Sequence, residues 1–281
     1  MKKIIEILKG VMIGIGNVIP GVSGGTIAVV MGIYDKLIDA VVNIFKHPIL
    51  TLKSMWVYIL GILIGIILSI FGVTYLLENY AVETTFLFVG VIIGAVPFLM
   101  NNVKDVKIKI SDTFFFMLFL VIVIGLPFIS AYTNFSGNTN VIILFIVGII
   151  AAGTMVIPGV SGSMVLMTLG YYDKIMFLIK DTIEAFFNFN IPLILSNCII
   201  LVPFGIGVIL GIILVAKLIK WLLSKYSSIV HFSILGLVIA SPFAVIVNLN
   251  LSNLSIITVI VSVIMFVIGG VIAVVFSKLD K

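Results

Sequence analysis

The chain contains one sequence twice. Residues 19–36 read IPGVSGGTIAVVMGIYDK, and residues 157–174 read IPGVSGSMVLMTLGYYDK, at a constant offset of 138 residues. The likeness continues downstream at an offset of 146, where GILIGIIL (61–68) matches GVILGIIL (207–214). Repetition of this kind indicates a fold built from repeated units. Whatever architecture one half adopts, the other half is therefore expected to adopt as well.

Composition places both halves in a membrane. The 281 residues are 62% hydrophobic and only 10% charged. A soluble domain is about half apolar and about one quarter charged, and a disordered chain needs low hydrophobicity, so both classes are excluded. Each half offers three apolar runs near the length of about 20 residues that crosses a bilayer. They are 57–77, 85–100 and 113–131 in the first half (about 1–135), and 192–216, 229–247 and 255–276 in the second (about 136–281).

A stretch broken by proline and glycine precedes the three runs in each half. In the first half, apolar arms at 11–19 and 26–34 flank the break at 20–25. A helical arm of this length reaches about 13 Å, roughly half of a 30 Å hydrocarbon core. The pattern predicts a re-entrant helical hairpin at about 11–34, and its twin at about 143–171. One full span with a Pro-Gly kink is the alternative.

The lysines favour the re-entrant alternative. With a cytoplasmic N-terminus, every lysine except Lys174 and Lys180 falls in a cytoplasmic segment, as the positive-inside rule requires. Full spans would instead place Lys104, Lys107 and Lys109 outside. Because three spans per half is an odd number, the halves are inverted and both termini are cytoplasmic. The predicted fold is an all-α polytopic membrane protein of two inverted repeats, an architecture typical of secondary transporters.

The two broken tips are expected to meet near the membrane midplane. Backbone N–H groups at a helix start lack intrahelical partners and carry partial positive charge, while glycine lets a ligand approach the backbone closely. Such a site suits an anion, although a plain hinge or helix-packing break is the competing interpretation. The candidate substrate-binding residues are Pro20, Gly21, Ser23, Gly24, Gly25 and Thr26 at the first tip and Pro158, Gly159, Ser161, Gly162 and Ser163 at the second.

A charged triplet follows each tip. The triplets are Tyr34, Asp35 and Lys36 in the first half and Tyr172, Asp173 and Lys174 in the second. They are candidates for gating or for headgroup capture, with interfacial anchoring as the alternative. We expect no cofactor and no metal. A proton or sodium gradient is the candidate driving force, and the groups able to carry it are Asp35, Asp39, Asp173 and backbone carbonyls at the breaks.

Enzyme motifs match poorly. Residues 21–25 fit G-x-S-x-G but lack its strand–turn–helix context, and the twin at 159–163 breaks the pattern. The sequence has no Walker A lysine and no cluster of metal-ligand residues. We therefore expect a transporter rather than an enzyme. A transporter or channel for a small soluble anion fits the residues equally well.

The twin stretches resemble a known family. NVIPGVSGGTIAVVMGIYDKLIDAV (17–41) and MVIPGVSGSMVLMTLGYYDKIMFLI (155–179) are similar to the polyprenyl-phosphate transporter family (PopT-type), formerly a family of unknown function, and the resemblance covers essentially the whole chain. It implies an undecaprenyl-phosphate translocase of the cell membrane that returns the spent lipid carrier from the outer to the inner leaflet for cell-envelope synthesis. The implied partners are this lipid and the bilayer, with no nucleic acid.

The resemblance also carries motif positions over to this chain. They are Pro20, Gly21, Ser23, Gly24, Gly25 and Asp35, with the twins Pro158, Gly159, Ser161, Gly162 and Asp173. Ser163 replaces the third glycine of the second tip. Whether the two tips contribute equally is left open by the sequence.

Overall fold

The computed structural model describes residues 2–18, 22–101, 103–104, 106–132, 140–247, 249, 251 and 254–278. Two candidate site residues, Pro20 and Gly21, lie outside these ranges. Within them the regular structure is helical and contains no strand, which confirms the predicted all-α class.

The two halves place their helices in the same order. The first half contains α1 (Lys2–Val18), α2 (Gly24–Val30), α3 (Tyr34–Asn43), α4 (Pro48–Leu68), a π-helical turn (Ser69–Val73), α5 (Thr74–Asn79), α6 (Ala81–Asn101) and α7 (Ile110–Tyr132). The second contains α8 (Val141–Val156), α9 (Gly162–Thr168), α10 (Tyr172–Phe187), α11 (Ile191–Lys225), α12 (Ser227–Ile246) and α13 (Ile256–Lys278).

Six helices in the described ranges are long and apolar enough to cross a membrane, namely α4, α6, α7, α11, α12 and α13. The protein is therefore a multi-pass membrane protein. The longest, α11, has 35 residues and a length of about 52 Å, which exceeds a hydrocarbon core of about 30 Å. It runs past the apolar run at 192–216 and ends in a segment that carries Lys217, Lys220 and Lys225.

Glycines bring the helices of each half together. In the first half α1 runs parallel to α4, because Gly10 lies against Gly61 and Gly14 lies against Gly65. A Cβ placed on Gly14 would come 3.0 Å from the Gly65 Cα. In the second half α8 and α11 meet in the same way. The glycine spacings therefore serve as helix-packing faces.

The halves contact each other reciprocally. The second long helix of each half packs along the third long helix of the other: α6 along α13, and α12 along α7. Gly94 lies against Gly270 in the first pair, and Gly236 lies against the Phe116 backbone in the second. Each half therefore contributes its second and third long helices to the contact with the other half.

The first broken stretch folds back on itself. Gly16 of α1 faces Ile27 of α2, and Lys36 Nζ lies 3.6 Å from Glu6 Oε1. The chain therefore leaves the hairpin beside the place where it entered. Since α1 and α4 run parallel, the segment between them has to return to the starting end. In the second half, Gly162 of α9 faces Ala151 of α8 in the corresponding way.

Candidate substrate site where the two tips meet

The two tips are in contact. The Gly159 N–H of the second tip donates to Thr26 Oγ1 of the first tip at 2.6 Å. The Tyr34 hydroxyl donates to the Val156 carbonyl oxygen at 3.0 Å. Both bonds join the two halves, and Thr26 is fully buried between them. The described parts of the two predicted sites therefore form one site.

Gly159 holds the second tip in place through its backbone. Its φ of +83° lies in the left-handed region that side chains disfavour. A Cβ there would also come 2.7 Å from the Leu237 carbonyl oxygen of α12. Only glycine therefore fits this turn, and the turn aims the Gly159 N–H at the first tip.

The tip glycines at the starts of α2 and α9 lie close to protein atoms in this conformation. Gly24 faces the Asn17 side chain, and a Cβ on Gly162 would come 2.6 Å from the Ala151 carbonyl oxygen. A Cβ on Gly25 would come 3.1 Å from the Met155 carbonyl oxygen. Protein atoms, rather than a ligand, therefore lie in the space that these glycines leave free in this conformation.

The tip hydroxyls differ between the halves. Ser161 and Ser163 share a hydrogen bond of 2.7 Å. Ser23, the twin of Ser161, is equally buried, yet its hydroxyl has no hydrogen-bond partner in the described part of the chain. Gly25 stands where the second half has Ser163, so the partner that Ser161 uses is missing at the first tip.

A small cavity of about 160 Å³ adjoins the first tip. Asn17, Gly24 and Gly25 contribute to its wall, and Met155 and Val156 come from the other half. Sequence reasoning missed Asn17 as a site residue. Its place at the start of the motif stretch, opposite Met155 in the twin, was the available indication.

A larger apolar groove of about 450 Å³ reaches the tips. It lies between α7, α11 and α12 and ends at Tyr34 and at Pro158 of the second tip. Aliphatic and aromatic side chains form nearly all of its wall. Ser233 turns its hydroxyl back to the Ile229 carbonyl oxygen, and Leu218 is half exposed at the groove's outer edge.

The triplet after the first tip belongs to this site only through Tyr34. Lys36 donates to the Tyr58 hydroxyl at 3.2 Å and pairs with Glu6, whereas Asp35 is exposed. Nearby, Lys220 of α11 forms an ion pair of 2.6 Å with Asp39 of α3. These pairs tie the exit of the first hairpin to α1, α4 and α11.

The triplet after the second tip lies in a different environment. Tyr172 is half-buried against the cluster formed by α8, α9 and α10. Asp173 is exposed and Lys174 is partly buried. The twin triplets are therefore not equivalent in their surroundings.

Two buried charged residues were not singled out by sequence reasoning. Lys9 of α1 is only 2% exposed, and Asp112 at the start of α7 is fully buried. The Lys109 N–H donates to Asp112 Oδ2 at 2.9 Å, whereas Asp112 Oδ1 has no partner in the described residues. Burial of these two side chains depends on tertiary packing that no local pattern reveals.

Comparison with known proteins assigns the chain to a family. The model of the undecaprenyl phosphate translocase-like family matches residues 13–253. The chain is 30% identical to the polyprenyl-phosphate transporter of Staphylococcus aureus, over 99% of this chain and 97% of that protein. It is 26% identical to the polyprenyl-phosphate transporter of Vibrio cholerae, over 83% of this chain and 74% of that protein. No solved structure matches. The chain belongs to the undecaprenyl phosphate translocase-like family.

Proposed function

We propose that the protein transports polyprenyl phosphate across the cell membrane, carrying the undecaprenyl-type carrier from the outer to the inner leaflet. The family membership and the names of the two relatives support the substrate class. The apolar groove that has Tyr34 and Pro158 in its wall is the structural observation that carries the proposal.

The groove distinguishes a lipid from a soluble anion. A soluble anion needs a polar path, since bare charge is costly to move through hydrocarbon. A polyprenyl chain needs the opposite, an apolar surface that is continuous with the bilayer. The apolar wall of the groove supports the second kind of path, and its end at Pro158 and Tyr34 would leave the headgroup beside the polar tips.

The proposed membrane arrangement is an inverted repeat with two re-entrant hairpins and both termini in the cytoplasm. The parallel pairing of α1 with α4 and the contact of Lys36 with Glu6 support a hairpin that returns to its own side. The reciprocal pairing of α6 with α13 and of α12 with α7 supports the inversion. In this arrangement the contact between Thr26 and Gly159 lies near the midplane.

The phosphate is proposed to bind at the tips as the tail slides along the groove. Neutral donors suit this task because they replace part of the headgroup hydration without holding the anion as tightly as a lysine or arginine would. A proton or sodium gradient is the proposed source of net direction. The exposed carboxylates Asp35 and Asp173 are the proposed entry points for the coupling ion.

A leaflet-exchange assay in proteoliposomes tests the proposal. The vesicles contain a fluorescent polyprenyl phosphate, and an impermeant quencher reports the outer-leaflet fraction over time. We expect exchange to be faster than in empty vesicles. Uptake of labelled inorganic phosphate is measured in parallel, because the soluble-anion alternative expects uptake without lipid exchange. That result from folded protein would overturn the lipid assignment.

A further inference from the structure

We propose that the two tips have unequal roles: the phosphate group binds at the first tip, through Ser23 and Asn17, and the second tip is a closed structural counterpart. The inference deepens the proposed function, because it concerns the same site. It rests on two independent differences between residues that the repeat makes equivalent.

The first difference concerns the buried hydroxyls. Ser161 of the second tip is satisfied by Ser163 at 2.7 Å, whereas Ser23 of the first tip is 5% exposed and unpartnered among the described residues. A buried hydroxyl without a partner is costly and marks a place where a ligand or water completes the hydrogen bonding. The first tip is therefore the one with an open donor.

The second difference concerns the residue that covers each tip glycine. At the first tip the exposed Asn17 side chain lies over Gly24. At the second tip the Met155 side chain lies over Gly162. The Asn17 amide donates to the Ile13 carbonyl oxygen at 3.1 Å, which leaves its second N–H to donate to an anion, whereas a thioether has no N–H to donate. The cover of the first tip is therefore polar, and the cover of the second is apolar.

A cavity of about 160 Å³ adjoins the first tip, and its wall includes Asn17, Gly24 and Gly25. Ser23 Oγ is buried beside this wall and lies 3.3 Å from the Cβ position on Gly25. Met155 and Val156, at the end of α8, contribute to the wall from the other half. The Val156 carbonyl oxygen, which would repel an anion, already accepts a hydrogen bond from the Tyr34 hydroxyl. The ligand that fits is a phosphate monoester, present as a lipid headgroup or approximated by free phosphate.

Binding to the purified protein in detergent tests the asymmetry. The probes are geranylgeranyl phosphate, inorganic phosphate and geranylgeraniol, which lacks the phosphate. We expect Ser23→Ala to weaken binding of the phosphate-bearing probes about 10- to 100-fold, the effect of removing one hydrogen bond to a charged group. The fold-loss of phosphate-probe binding in Ser161→Ala should be less than a tenth of the fold-loss in Ser23→Ala. Equal losses in the two variants, or a larger loss in Ser161→Ala, would overturn the proposal.

A second pair of variants tests the same idea without removing Ser23. Gly25→Ser gives Ser23 the partner that Ser161 already has, and Gly25→Ala adds the same Cβ without the hydroxyl. Both variants meet the Met155 carbonyl oxygen at the same 3.1 Å, so their steric cost is matched. We expect Gly25→Ser to bind the phosphate probes at least tenfold more weakly than Gly25→Ala. Equal affinities would contradict a role for the free hydroxyl.

The probes separate this inference from the proposed function. If geranylgeranyl phosphate binds without dependence on Ser23, the asymmetry is wrong while lipid transport stands. If inorganic phosphate binds with dependence on Ser23 and the lipid probe does not bind, the site stands and the lipid assignment fails. Failure of folded wild-type protein to bind either phosphate probe overturns the site.

Discussion

Single hydroxyls and N–H groups hold the two tips together. Thr26, selected from the sequence as a ligand-binding residue, accepts a hydrogen bond from the Gly159 N–H at 2.6 Å. One of the two lone pairs of its hydroxyl oxygen is thus engaged by the protein in this conformation. The bond lies across the boundary between the halves, so it couples the first hairpin to the second and makes Thr26 a link as well as a candidate ligand contact.

Replacing Thr26 with valine should destabilise the protein. The change keeps the shape of the side chain but leaves the buried Gly159 N–H without its acceptor, a loss of about 1–3 kcal/mol. Thr26→Ser keeps the hydroxyl and is the matched control. Thermal unfolding in detergent measures both. Equal midpoints for the valine and serine variants would contradict the structural role assigned to this bond.

The sequence predicted part of the site at this scale and missed the rest for a physical reason. Ser23, Ser161 and their neighbours could be found because the repeat places them at matching positions. Asn17 was missed because the repeat draws attention to matching residues and the twin of Asn17 is Met155; that mismatch was the available indication. The burial of Lys9 is also invisible locally, since it depends on how α1 packs in the folded protein.

Small residues decide where two helices pack closely, and the absence of helix breakers decides how far a helix continues. Gly207 of α11 lies against the Phe145 backbone of α8, whereas Gly205, two residues earlier, has open space around it. The predicted end of this span at residue 216 follows the loss of hydrophobicity at Lys217. The helix continues to Lys225 because lysine and leucine are good helix formers and no breaker intervenes. Hydropathy therefore located the apolar part of the helix and not its full length.

Gly205 and Gly207 of α11 predict opposite effects of the same substitution. Gly207→Ala places a methyl group against the Phe145 carbonyl oxygen and should destabilise the protein by about 1–3 kcal/mol, as overpacking does. Gly205→Ala meets nothing within 4 Å and should be neutral or stabilise by about 0.5–1 kcal/mol. Thermal unfolding of the two variants measures both changes in stability. A Gly207→Ala protein as stable as wild type would refute the close packing of α8 and α11.

At the scale of the whole molecule, the repeat and the lysine distribution together predict an inverted arrangement. The helices of the two halves pair reciprocally, α6 with α13 and α12 with α7, while the inversion itself stays a prediction. The groove between α7, α11 and α12 could not be predicted, because each helix reads simply as an apolar span. It arises only where helices of both halves diverge beside the tips.

The membrane arrangement predicts which loops face the cytoplasm. Cys198, the single cysteine, is first replaced by alanine. Cysteines are then placed at two exposed positions, Asn188 in the connection before α11 and Ser224 in the last turn of α11. An impermeant maleimide added to intact cells should label the cysteine at 188 and label the one at 224 only after permeabilisation. The reverse pattern, or labelling of both from one side, would contradict the arrangement.

The most direct test of the central claim is leaflet exchange of fluorescent polyprenyl phosphate when the groove is blocked. Leu218 lines the groove, and Leu214, one turn earlier on α11, is outside it and equally exposed, at 54% against 51%. We predict that Leu218→Trp slows exchange at least tenfold and that Leu214→Trp leaves it near the wild-type rate. Wild-type exchange no faster than in empty vesicles, or equal rates in the two tryptophan variants, would contradict transport along this groove.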